Sequence, residues 1–124
     1  MMKIEHLKDL AMDIAVVSSD EKVIVEVQSA LDLVMTVKYE TGASRIVLDK
    51  NLICEEFFIL STGVAGEILQ KFINYRVKAA IYGDYSRYTS KPPWDFIYES
   101  NNGHGVFFVS TKEEAVQKLT EAGQ

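Results

Sequence analysis

The sequence predicts an α/β fold, a mainly parallel mixed sheet covered by helices, with the element order β-β-α-β-α-β-α-β-α. Three observations carry that expectation. Short runs rich in β-branched and aromatic residues, such as Arg45-Ile46-Val47-Leu48-Asp49 and Val106 to Val109, alternate with longer segments whose apolar residues recur at helical spacing. Between any charged ends those runs are apolar, as expected of strands buried on both faces. The 124 residues are 48% hydrophobic and 25% charged, an ordinary folded composition with length for one domain, 1–124.

Each element has its own signal. Lys3 to Leu7 and Met12 to Ser18 read as two strands joined by a tight turn at Lys8-Asp9, which adds a mixed or antiparallel edge. After a capping signal at Ser18-Ser19-Asp20, the residues Val23, Val27, Ala30, Leu31, Val34 and Val37 share one helical face. Gly42 supplies a stop, so a helix is expected from about Glu21 to Glu40. Arg45 to Asp49 reads as a buried strand, and Asn51 to Leu60 has no clear period. Ala65, Ile68, Leu69, Phe72 and Ile73 predict a second helix from Thr62 to Tyr75, with Ser61 or Thr62 where a cap belongs.

Val77 to Tyr82 reads as a buried strand ended by Gly83-Asp84. Pro92 and Pro93 suit a helix entry, Trp94, Ile97 and Tyr98 form its expected packed face, and Asn101-Asn102-Gly103 ends it. A last strand runs from Val106 to Val109. Ser110 or Thr111 then caps a closing helix, with Glu113 or Glu114 placed for a capping box and Ala115, Val116 and Leu119 turned inward. In such a sheet the loops after the strand C-termini are the expected functional surface.

Composition excludes several classes. A net charge of −5 and a pI near 5.0 oppose a long nucleic acid or an anionic membrane as partner. The lone Cys54 fits a reducing, cytoplasmic setting, and no apolar leader or membrane-length run is expected. Phosphate-loop, dinucleotide-loop, nucleophile-elbow and zinc-protease motifs are missing, so no catalytic constellation and no cofactor are expected. His6 and His104 have no ligand-type neighbours at metal spacing, and no metal is expected. Cys54, beside Glu55 and Glu56, reads as a packing residue. Phe57-Phe58 and Trp94, lying near loops, read as an exposed patch for a protein partner or a second copy of the chain.

Charge is uneven. Lys71 to Lys91 holds Lys71, Arg76, Lys78, Arg87 and Lys91 against Asp84, a local +4, so the remainder stands at −9. Four of six tyrosines, Tyr75, Tyr82, Tyr85 and Tyr88, lie there too. Interleaved cations and aromatics can stack a base and pair with a phosphate; helix-end cations and a core tyrosine explain the same pattern. Gly83, Asp84, Tyr85, Ser86 and Arg87 follow a strand, as Asp49 does, and form a candidate binding loop. The two carboxylates could hold a metal or a ribose, or serve as turn caps.

The run Phe57-Phe58-Ile59-Leu60-Ser61-Thr62-Gly63-Val64-Ala65-Gly66 resembles the turn that opens the second helix in STAS domains, the anti-sigma-factor antagonists of bacteria. In that family the turn reads Asp-Ser-Ser/Thr-Gly-Leu/Ile-Gly, and the element order is the same. The resemblance implies a STAS-like fold with Thr62 at the phospho-acceptor serine; Leu60 stands where the family has its aspartate. The stretches AGEILQKF, NYRVKAAI, GD-x-S-x-YTSK and DFIYESN resemble more closely an uncharacterised bacterial family of domains of unknown function, DUF4180, over almost the whole chain.

The physics at Ser61, Thr62 and Gly63 is independent of either resemblance. The first amides of a helix lack internal partners and sit at its positive end, so they can hold a phosphate. The same residues also serve as a plain cap, worth about 1 kcal/mol. The expectation is a non-enzymatic, STAS-like regulatory module that binds a protein partner and is switched by phosphorylation at this turn. The alternative is a small-molecule, small-anion or nucleotide binder using the loops around Thr62 and Asp84.

Overall fold

Five strands, β1 (Lys3–Leu7), β2 (Ile14–Ser18), β3 (Arg45–Asp49), β4 (Lys78–Tyr82) and β5 (Val106–Val109), stand in one sheet in their order of sequence. The computed structural model describes residues 2–7, 12–59, 63–86, 91–101, 103 and 105–122, with the backbone alone for 91–95. The β1–β2 pair is antiparallel, and β2 through β5 are parallel. Four helices, α1 (Val27–Thr41), α2 (Val64–Asn74), α3 (Lys91–Asn101) and α4 (Lys112–Glu121), complete an α/β architecture with a mixed sheet.

The two-residue period of a strand sorts the core into two layers. Ala15, Val17, Ile46, Leu48, Ala79, Ile81, Val106 and Phe108 face one side, where they pack with Ala30, Leu33, Val34 and Val37 of α1, Ala65, Ile68 and Phe72 of α2, and Ile97 of α3. Ile14, Val16, Val47, Ala80 and Phe107 face the other, under Ala115 and Leu119 of α4. Three helices therefore cover one face and α4 covers the other. Ala79 and Ala80, adjacent in β4, leave room on both sides for this double cover. The parallel strands never reverse order, so the sheet lacks the switch-point crevice at which open α/β sheets usually bind ligands.

Edges and ends are handled by side chains. Asn101 at the end of α3 imitates a neighbouring strand for β5: its Oδ1 accepts from the Phe108 amide at 2.6 Å and its Nδ2 donates to the Phe108 carbonyl at 3.0 Å. Arg45 reaches across to the end of α4 and donates to the carbonyls of Leu119 and Ala122, at 2.7 and 3.1 Å. Thr111 caps α4 by accepting from the Glu114 amide at 3.1 Å, and Ala115 and Leu119 point inward as expected.

Four expectations are corrected. The first helix starts at Val27, six residues later than its apolar pattern suggests, because residues 23–24 are tied into an extended bridge with 52–54. Val23 and Ile24 donate to the Leu52 carbonyl at 2.8 and 3.0 Å, and Cys54 donates to Ile24 at 2.8 Å. The cap is Glu26, which accepts from the Ser29 amide while the Ser29 hydroxyl accepts from the Glu26 amide. Ser19 caps no helix; it accepts from the Glu21 amide in a local turn.

Phe57 and Phe58 form no exposed patch. The irregular stretch before α2 coils into two short 3-10 turns, Lys50–Leu52 and Glu55–Phe58, and the second drives both rings into the core. Phe57, 1% exposed, lies 5.0 Å from Phe58, 6.3 Å from Phe96 and 6.2 Å from Phe108, centroid to centroid. Cys54, just before them, is buried and free. On α3, Ile97 is buried but Tyr98 is 65% exposed, so the inward face runs through Phe96 and Ile97 instead. Strand β2 begins at Ile14 and β4 at Lys78, shorter than expected at their N-terminal ends. The side chain of Trp94 lies outside the described part.

Candidate functional site

The register places the ends of β3 and β4 side by side, Asp49 against Tyr82, so the loops that follow them share one sheet edge. Lys50 continues from Asp49, and Gly83, Asp84, Tyr85 and Ser86 continue from Tyr82. The two loops touch where the Gly83 backbone meets the Lys50 side chain: a β-carbon added at Gly83 would stand 2.6 Å from the Lys50 β-carbon. Above that contact the Lys50 ammonium lies 5.2 Å from the Phe58 ring centroid and 6.0 Å from that of Tyr85.

Tyr85 is built into this wall. Its ring packs edge-on against Phe108 at 5.6 Å and beside Phe58 at 6.1 Å, and its hydroxyl donates to the Ile81 carbonyl at 2.7 Å. Lys50 is the one side chain of this edge whose role the sequence does not announce, since an isolated lysine after a strand looks like any surface cation.

Both candidate carboxylates serve turns. Asp49 accepts from the Asn51 amide at 2.8 Å and caps the first 3-10 turn. Asp84 accepts from the Ser86 amide at 2.9 Å. Hydrogen bonds from the Ser86 backbone and hydroxyl, aided by the charge of Lys50, hold the Asp84 carboxyl below its ordinary range, so it stays an anion rather than a proton donor. Among the described residues, no three His, Cys, Asp or Glu side chains come together as a metal cluster. His6 pairs with Asp13 at 3.0 Å, at the far end of β1. Behind the edge, Tyr82 is half-buried; desolvation, with the charges of Asp49 and Glu113, raises its hydroxyl above the ordinary 10.0.

Gly63 opens α2. It takes the left-handed conformation at φ 78°, which favours glycine, and its carbonyl accepts the Glu67 amide at 3.1 Å. Gly63 and Gly66 are exposed, and a β-carbon at either would meet open space, so the glycine side of the first turn of α2 faces solvent while Ala65 points into the core. Ser61, Thr62 and Arg87 lie outside the described residues, as do Leu60 and His104.

The basic, tyrosine-rich stretch does not form one patch. Strand β4 runs through it, so Lys71, Arg76 and Lys78 lie toward the start of the parallel strands while Asp84 and Tyr85 lie at their end. No described helix is long and apolar enough to cross a membrane.

The family model of the domain of unknown function DUF4180 covers residues 10–119, and the chain belongs to that family. No curated protein and no solved structure matches the chain.

Proposed function

We propose that this DUF4180 domain is a non-enzymatic, STAS-like binding module that engages a protein partner through the loops after β3 and β4 and the opening of α2. The element order β-β-α-β-α-β-α-β-α, common to this chain and STAS domains, supports the likeness. The observation that carries the reading is the opening of α2: a left-handed Gly63 with no side-chain cap, followed by an exposed Gly66, so that the positive helix end favours an added phosphate on the preceding residues. Phosphorylation at Thr62 or Ser61 then switches the contact by adding charge at the recognition face. The Lys50–Gly83 contact makes the neighbouring loops a firm platform, and the turn-capping roles of Asp49 and Asp84 favour recognition over chemistry.

The test is phosphosite mapping by mass spectrometry after incubation with kinase-containing extract of the source cells. Phosphate on Thr62 or Ser61 is the expected result; both residues unmodified under all conditions tried would remove the switch. A nucleotide and metabolite panel in thermal shift tests the competing small-ligand reading of the same loops. A midpoint rise of several degrees with one compound, abolished by Asp84→Asn, would replace the protein-partner reading.

A further inference from the structure

A second candidate site lies at the opposite edge of the sheet, where the parallel strands begin. The register sets Arg45, first residue of β3, beside Lys78, first residue of β4, and Arg76 comes to the same place from the end of α2. Together they line an open groove of about 700 Å³ whose floor is Phe72, Ile73 and Val77. Among the described residues, its lining includes no acidic side chain. It shares Phe72, Ile73 and Gly105 with a second hollow of about 180 Å³, walled by Leu69 and Val106, whose described lining residues are uncharged. The larger hollow carries the cations, and the smaller one beside it is apolar among the described residues.

Three further observations point to a ligand. Ile73 is 62% exposed on this floor, so a large aliphatic side chain faces water unless something covers it. Arg76 holds a left-handed backbone at φ 57°, the one non-glycine residue with positive φ among those described. It occupies the position after α2 where the Val77 amide donates back to Phe72 at 2.8 Å, a helix ending that ordinarily selects glycine. Local conformation favours glycine there, and the chain keeps a guanidinium at the mouth of the groove instead. Burial and the neighbouring Arg45 charge both lower the Lys78 pKa, and a bound anion would raise it again.

We infer that this groove binds a small amphiphilic anion, an oxyanion head held by Arg76 and Lys78 and an apolar body laid along Phe72 and Ile73. Arg45 is partly committed to the end of α4 and completes the positive field rather than forming the main contact. The volume suits a small organic molecule. This site is independent of the loops after β3 and β4.

Calorimetric titration of the full chain with hexyl phosphate and with hexanoate tests it, against inorganic phosphate and hexanol as head alone and body alone. Binding at least tenfold tighter for one or both of the amphiphiles than for either fragment is expected, with amide shifts in nuclear magnetic resonance at Phe72, Ile73 and Gly105. Stronger binding of hexyl phosphate than of hexanoate identifies a phosphate head, and the reverse a carboxylate. Arg76→Gly and Lys78→Met should each weaken binding at least tenfold, while Arg76→Gly raises the thermal midpoint by about 3 °C because the strain is gone. That rise separates lost binding from lost folding. No binding, equal binding of the fragments, unchanged affinity in both variants, or a lowered midpoint in Arg76→Gly would each overturn the inference.

Discussion

Gly83 sits so close to Lys50 that a β-carbon on it would overlap the lysine's own, at 2.6 Å. Gly83 also donates to the Val109 carbonyl at 3.0 Å, so its backbone is fixed between the loop after β3 and the end of β5. The requirement for glycine here comes from close approach and not from backbone conformation. Gly83→Ala should destabilise by about 1–3 kcal/mol, the usual cost of forcing bulk into a packed site. Lys50→Gly in the same chain should restore part of that loss, and a denaturation double-mutant cycle reads the coupling; additive effects would show that the loops do not meet as described.

The cap of α1 gives a second prediction. Ser29 accepts from the amides of Val25 and Glu26, at 2.9 and 3.1 Å, and so satisfies two donors outside the helix. Ser29→Ala should cost about 1 kcal/mol. Ser19→Ala, at the apparent capping signal, should change stability by less than about 0.5 kcal/mol. Urea denaturation of the two variants side by side distinguishes the real cap from the apparent one.

Those two serines show where local sequence stops being informative. Strands β1, β3 and β5, helix α4 and the stop at Gly42 follow from short-range pattern, because period, caps and turn residues act within a few positions. The start of α1 does not, since what keeps Val23 and Ile24 extended is pairing with Leu52 and Cys54 almost thirty residues on. The burial of Phe57-Phe58 is hidden for the same reason: a loop-like neighbourhood says nothing about the Phe96 and Phe108 rings that receive them. At the candidate site, Asp49 and Gly83 to Ser86 were legible as loop ends of parallel strands, while Lys50 was not. The basic groove has a readable trace in retrospect. Arg45 and Lys78 each open a buried strand, and in parallel, in-register pairing first residues become neighbours.

Tyr82 carries the pH dependence. Its proton is held more tightly in the folded chain than in the unfolded one, by burial and by the charges of Asp49 and Glu113. Its contribution is therefore fully present below the ordinary 10.0 and lost as pH rises from there through the folded value. Thermal midpoints of the parent and Tyr82→Phe, measured from pH 8 to 11, should diverge above about pH 10, the parent falling faster. Parallel curves would show that Tyr82 titrates normally.

The buried aromatic cluster accounts for the stability of the irregular stretch before α2. Phe57→Ala should cost about 3–5 kcal/mol, since the ring is enclosed by Phe58, Phe96 and Phe108. A loss below about 1 kcal/mol in urea denaturation would contradict its burial.

The central claim, that the loop edge after β3 and β4 is a protein-binding face, is tested most directly by photo-crosslinking in the source cells. A benzophenone amino acid is placed at the exposed Ser86 on that edge and, as control, at the exposed Glu40 near the end of α1. The account predicts one discrete adduct from position 86 that is missing from position 40. No adduct at 86, or the same adducts from both positions, would contradict it.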